Sequence, residues 1–178
     1  MTPIFTFVND TDKNNWDLTQ QYEGLATITG KTKASGGYAR ILTAADTYRD
    51  VAVTVRDQQS GVFKMQVYFT FANGKQFQIR LDNEAGSYRI QNMSASIISS
   101  WKKVHGLTDD QVAKLQGESG IQFRIQISGT NALVYLDNTQ VGTLDLSAGI
   151  EADATAQITM IMYGNDGVEP ITIPFELG

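Results

Sequence analysis

The chain has no cysteine, one histidine and three prolines among 178 residues. Without cysteine there is no disulfide framework, no thiol nucleophile and no thiolate zinc site. A single histidine excludes histidine-clustered metal centres, and any Ser-His-Asp triad would have to be built on His105. In the context WKKVHGLTDD that residue reads as a solvated loop histidine ahead of a helix. No run reaches about eighteen apolar residues, so no membrane-spanning helix is expected. Basic stripes are missing too: 14 Lys plus Arg face 19 Asp plus Glu, a formal net charge of −5. That balance argues against a nucleic-acid partner. Residues 1–9 (MTPIFTFVN) carry neither the basic start nor the long apolar core of a signal peptide.

What the chain does have is alternation. Ile121, Phe123, Ile125 and Ile127 alternate with Gln122, Arg124, Gln126 and Ser128, a period of two that a half-buried strand produces and a helix does not. Ser-Gly-Thr-Asn (128–131) is turn chemistry, and Leu133 to Leu136 forms the next strand. Asp137-Asn138 tolerates the positive φ of a tight hairpin, and Val141 to Leu146 returns as a third strand.

The same period recurs along the chain. Pro3 to Val8, Tyr22 to Thr29 and Tyr38 to Leu42 read as short strands, with the polar tract Asn9 to Asp17 as a loop. Val51, Val53 and Val55 alternate with Ala52, Thr54 and Arg56. Phe63 to Phe71 places Phe63, Met65, Val67, Phe69 and Phe71 on one face, and after Asn73-Gly74 the apolar set continues as Phe77, Ile79 and Leu81. Keeping the two apolar sets on one side requires one residue more than a plain two-residue loop, and the reading sets Phe71 opposite Phe77 and Tyr68 opposite Arg80. Tyr88 to Met93 follows as another strand. Ala156 to Tyr163 is apolar on both faces, as in a strand buried on both sides or one at a contact surface, and Ile171 to Leu177 closes the chain.

One helix is expected. Thr108 and Gln111 fit a capping box, Asp109 and Asp110 suit the positive end of the dipole, Val112 and Leu115 form an apolar i, i+3 pair, and Gly117 ends it. About a dozen short strands with little helix predict an all-β, antiparallel two-sheet sandwich with one short helix, as a single domain over residues 1–178.

The segment FRIQISGTNALVYLDNTQVGTLDL resembles the late-strand signature of concanavalin A-like lectin/glucanase domains, laminin G-like jelly rolls among them. In that signature a strand ends at a Gly turn, a V-Y-L-D-(G/N) hairpin follows, and V-G leads into a further strand. Asn138 stands where Gly is commoner, and weaker echoes run from about Tyr38 to Phe175. The resemblance implies a jelly roll whose outer sheet face, or whose loops at one end, hold carbohydrate.

The polar faces of the long strands favour amides and guanidinium groups over Lys and Glu. Gln66, Tyr68, Gln78, Arg80, Gln91, Arg124 and Gln126 are the candidate ligand-binding residues. Fixed donor–acceptor pairs complement a pattern of sugar hydroxyls, and the Tyr68 ring offers a stacking plane. Trp16, Tyr163, Asn165 and Asp166 form a loop alternative. Asp10, Asp12 and Asn14 reproduce the first half of a calcium loop, D-x-D-x-N, but Asn15 replaces the required Gly and Gln21 the terminal Glu, so an EF-hand is rejected. Calcium on a looser oxygen site there is the one cofactor suggested, and none is required.

Glucanases of the resembling fold carry an E-x-D-x-E run on one strand, which is absent here, and the glutamates fall mostly in turns. The reading is therefore a non-catalytic, lectin-like module for a cell-surface or cell-wall polysaccharide, extracellular, on a cell surface or in a virion, for example a phage tail or baseplate. A structural or adhesion sandwich with a protein partner at Ala156–Tyr163 is the alternative, followed by a glycoside hydrolase.

Overall fold

In a computed structural model, residues 5–7, 16–22, 25–31, 38–43, 46–57, 63–92, 102–147, 155–163 and 170–177 are described. Two seven-stranded sheets, each paired antiparallel, face one another. The first sheet has the order β1 (Phe5–Phe7), β4 (Tyr38–Thr43), β13 (Ala156–Tyr163), β6 (Lys64–Phe71), β7 (Gln76–Asp82), β8 (Arg89–Asn92), β9 (Lys102–Gly106). The second has the order β12 (Thr139–Asp145), β11 (Asn131–Leu136), β10 (Ile121–Ser128), β5 (Asp50–Val55), β14 (Pro170–Leu177), β3 (Leu25–Lys31), β2 (Trp16–Tyr22).

The core lies between the sheets. Met65, Val67, Phe69, Phe77, Ile79, Leu81 and Ile90 from the first meet Val53, Val55, Phe123, Ile125 and Val134 from the second, all essentially sealed from solvent. Burial alternates strictly along β10, so its period-two pattern is realised as one core face and one outer face. On β6, β7 and β8 the apolar side chains take the core face, but several of the outward polar side chains are buried as well.

The β6–β7 hairpin corrects the expected register. Phe69, not Phe71, pairs with Phe77, and Tyr68 pairs with Gln78, while Arg80 lies opposite Gln66. The loop closes on Phe71 and Lys75, with Gly74 N–H donating to Phe71 O (2.8 Å) and Gly74 at φ +80°. A type I turn with glycine in the left-handed position places the three-residue loop at 72–74, one residue earlier than the expected register requires, so both apolar sets keep their side but the pairing slides by two. At the β11–β12 hairpin, Asp137 and Asn138 both take positive φ (51° and 65°), so Asn138 fills the glycine position as expected.

The chain start differs as well. A seven-residue strand, β2, begins at Trp16, inside the tract expected to be loop, and pairs with β3 rather than merging into one strand after Tyr22. Its polar composition is that of an edge strand, which carries no strong apolar alternation. β14 contains Pro174, and its ladder with β5 covers only Phe175 to Leu177, beyond the residue that lacks an N–H donor.

Helix α1 (Asp109–Gln116) is capped as expected. Thr108 accepts from the Gln111 N–H and the Gln111 side chain accepts from the Thr108 N–H, completing the reciprocal box. Leu115 is its buried contact with the core. His105 is not a solvated loop residue: it sits half-buried on edge strand β9, and Nε2 donates to Gln111 Oε1 (2.8 Å). β9 meets β12 where the two sheets close: a Cβ on Gly142 would come within 2.3 Å of Val104 Cγ1.

Candidate functional site

Alternation and register place the outward residues of β13, β6, β7, β8 and β9 on a grid. One row runs Lys64, Asp82, Arg89, Gly106, and the next runs Ile161, Gln66, Arg80, Gln91, Lys103. A third pairs Thr159, Tyr68 and Gln78, and a fourth Gln157, Thr70 and Gln76. Five of the seven expected ligand-binding residues, Gln66, Tyr68, Gln78, Arg80 and Gln91, therefore share one face. Arg124 and Gln126 do not. They lie on β10 in the opposite sheet, and Arg124 forms a bidentate pair with Asp50. Each strand's alternation was read correctly, but alternation within a strand does not say which sheet the strand joins.

The face is graded. At the Thr70–Gln76 end the side chains are half-exposed and linked: Gln76 Nε2 donates to Thr70 Oγ1 (3.3 Å) and Gln78 Nε2 to Gln76 Oε1 (3.4 Å). The Tyr68 hydroxyl donates to Gln66 Oε1 (3.0 Å), which fixes both an amide and a ring. A face of amides held by one another presents hydrogen-bonding groups in a set orientation, and the half-exposed phenol adds an apolar plane.

The other end is an ionic cluster that the sequence reading did not identify. Asp82 is fully buried, yet it is outward by alternation and ringed by donors: Arg80 Nε (2.8 Å), Gln91 Nε2 (2.6 Å), Arg89 Nε (3.2 Å) and the Glu84 N–H (3.0 Å). Glu84 takes Arg80 Nη2 (2.6 Å) and the Lys64 ammonium. Arg80, Gln66 and Gln91 are buried along with Asp82, while Lys64, Glu84 and Arg89 form a partly exposed rim. Burial alone pushes the Asp82 carboxyl up. The Glu84 N–H, the Arg80 charge and the Arg80 and Gln91 hydrogen bonds outweigh it and hold the group below the usual aspartate range. The Glu84 carboxyl is held low chiefly by its hydrogen bond from Lys64. The signal for this cluster was present in R-x-D (80–82) and R-x-Q (89–91), which put both arginines on the amide face, but only the pairing of β7 with β8 brings them together on Asp82.

Of the loop alternatives, Trp16 begins β2 in the second sheet, and Tyr163 ends β13 in register with Lys64. Asn165 and Asp166 lie outside the described residues, as do the calcium candidates Asp10, Asp12 and Asn14. Among the described residues no three His, Asp or Glu side chains group as a metal site, and no helix is long and apolar enough to cross a membrane.

A second buried polar group sits at the end of the sandwich near α1. Tyr88 donates its hydroxyl to Asp57, and Gln116 Nε2 donates to the Tyr88 hydroxyl oxygen (3.3 Å). Asp57 is itself buried, and its N–H donates to Leu115 O (3.0 Å), tying helix to strand. Burial, followed by the Asp57 hydrogen bond, pushes the Tyr88 phenol up to about 12.

No protein-family model and no curated protein matches the sequence. The fold does match solved structures. A GH16 protein of the Bacteroides ovatus mixed linkage glucan locus, in complex with product, superposes with a TM-score of 0.63 at 11% identity, covering 98% of this chain and 94% of that one. The Bacillus licheniformis beta-glucanase gives 0.57 at 10% identity over 99% and 91%. Carbohydrate binding module CBM66 from Bacillus subtilis gives 0.51 at 14% identity over 98% and 92%. The chain has the concanavalin A-like jelly-roll fold, the architecture that its late strands resembled.

Proposed function

We propose that this protein is a non-catalytic glycan-binding module whose site is the outer face of the β1–β9 sheet. The observation that carries the proposal is the state of the carboxylates on that face. Glycoside hydrolysis by this kind of fold needs one carboxylic acid kept protonated and a second carboxylate to act as nucleophile or base. Among the described residues, the carboxylates of the grid are Asp82 and its neighbour Glu84, both engaged by arginine or lysine and both held below their ordinary pKa. Neither is suited to donate a proton near neutrality. The half-exposed Tyr68, Gln76 and Gln78 beside them suit recognition of hydroxyls and of a pyranose face. Solved structures with this fold include glucanases and a carbohydrate binding module, which supports a saccharide as the ligand.

The protein-partner alternative keeps only the outward side chains of β13 as its surface. β13 lies between β4 and β6, so its backbone offers no open edge, and Ile158 and Met160 are core residues. The setting we propose is a surface or virion protein that meets a cell-surface or cell-wall polysaccharide.

A glycan array tests the reading. Open sugar sites work at about millimolar to micromolar Kd, or −4 to −8 kcal/mol. Tyr68 and Gln78 are cross-strand partners, and neither is bound into the ionic cluster. Tyr68→Ala with Gln78→Ala should lower affinity by about 1–3 kcal/mol with an unchanged fold. Undiminished binding would move the site elsewhere, and saccharide cleavage would make the protein an enzyme.

A further inference from the structure

We propose that the β8–β9 margin of this face is a subsite for the carboxylate of an acidic, uronate-bearing polysaccharide, formed by Arg89 and Lys103. The proposal rests on the glycan-binding reading and narrows its ligand class.

Three observations carry it. First, the charge balance reverses locally. The chain carries a net −5, yet the two rows at this end hold Lys64, Arg80, Arg89 and Lys103 against Asp82, with Glu84 in the turn beside them. Second, two of these cations have donors to spare. Arg89 commits only Nε, to Asp82, and no described residue takes its terminal nitrogens. Lys103 is exposed and makes no hydrogen bond or ion pair with any described residue. Third, the backbone brings them toward each other. Gly106 is the β9 residue opposite Arg89, and a Cβ there would lie 3.2 Å from both Cε and Nζ of Lys103. The Lys103 side chain thus lies back over the glycine, from its own row toward that of Arg89.

The chemistry selects a carboxylate. A guanidinium whose Nε is anchored on Asp82 presents its remaining edge in a fixed plane, and a planar two-oxygen anion matches that fork. Lys103 adds a second, exposed charge beside it. The half-exposed amides and Tyr68 lie in the neighbouring rows, so a chain crossing the strands would place hydroxyls on the amides and its acidic group at the margin. A neutral glucan would bring no anion to the terminal nitrogens of Arg89 or to the Lys103 ammonium.

The test measures binding of the intact protein to polygalacturonate, dextran sulfate, polyglutamate and a neutral mixed-linkage glucan. The parent should hold polygalacturonate at least about tenfold more tightly than the neutral glucan, with the difference shrinking in high salt. Lys103→Glu should cost polygalacturonate about tenfold or more and leave any neutral-glucan binding and the Tm unchanged. Arg89→Lys, which keeps the charge and loses the fork, should also weaken polygalacturonate. Equal affinity of parent and Lys103→Glu for polygalacturonate would overturn the proposal, as would equal binding of polyglutamate, which offers charge without sugar. Tighter binding of dextran sulfate would overturn the carboxylate assignment. Neutral-glucan binding that depends on Tyr68 and ignores Lys103 would sink this subsite and leave the glycan-binding reading standing. Binding to none of the saccharides would remove both.

Discussion

Arg80 and Asp82, two residues apart on β7, point to the same outer face and join Nε to Oδ2 at 2.8 Å, with 7% and 0% of their side chains exposed. Both charges are therefore out of water on the face where the ligand is proposed to lie. A pair of this kind is expensive to form and more expensive to break, because removing one partner strands the other. Arg80 is a positioning residue that fixes Asp82 and Glu84, and for that reason it is a poor choice for a binding variant.

Asp82→Asn should destabilise the fold by about 3 kcal/mol, the lower part of the range for breaking a buried pair. Chemical denaturation at neutral pH measures it. The pH dependence follows from the direction of the shift. Folded Asp82 titrates below its unfolded value of 3.8, so the unfolded chain binds the proton first on acidification. The stabilisation is present above about pH 4 and fades as pH falls through the folded pKa. Asp82→Asn should flatten this acid limb; an unaltered limb would show that the cluster does not govern it.

Tyr88 should ionise well above the ordinary tyrosine range. Spectrophotometric titration should find one of the seven tyrosines near pH 12. Here the folded value lies above the unfolded value of about 10, so the stabilisation is full below pH 10 and is lost as pH rises through about 12. Tyr88→Phe should cost about 1–3 kcal/mol, since it removes the hydroxyl that the buried Asp57 accepts from.

Gly142→Ala should destabilise by about 1–3 kcal/mol through overpacking, because its new methyl would meet Val104. Val104→Ala in the same chain should restore much of the loss. The double-mutant cycle should show a coupling of about 0.5 kcal/mol or more. Additive effects would mean that β12 and β9 adjust independently.

Calcium addresses Asp10, Asp12 and Asn14. If the oxygen-rich tract binds the cation, calcium at a hundred times its Kd should add about 2.7 kcal/mol of stability against a chelator control. An unchanged melting curve in millimolar calcium would remove the cation from this protein's chemistry.

The fold was legible wherever one residue type dominated alternate positions. β5, β6, β7 and β10 have this pattern, and each buries the face it was expected to bury. The capping box of α1 was equally plain, since Thr108 and Gln111 satisfy each other locally. What escaped was pairing at a distance. The slide from Phe71 to Phe69 opposite Phe77 depends on how Gly74 closes one turn, and alternation cannot distinguish registers that differ by two. Placing Arg124 with Arg80 failed for a related reason: both alternate with core residues, but across the sandwich those outer faces look in opposite directions. The Asp82 cluster needed Arg89 and Gln91 to arrive from a neighbouring strand, and nothing short of sheet order supplies that.

The two-residue period of β6, β7 and β8 has a further consequence for how this chain can change. Met65, Val67, Ile79, Leu81 and Ile90 answer only to the core, while Tyr68 and Gln78, one position away, answer mainly to whatever touches the outside. Positions of the second kind can be rewritten with little penalty in foldability. Retargeting to a new saccharide could therefore proceed by exchanging the half-exposed outer letters of β6 and β7, Tyr68, Thr70, Gln76 and Gln78, leaving the intervening letters and the Asp82 cluster in place.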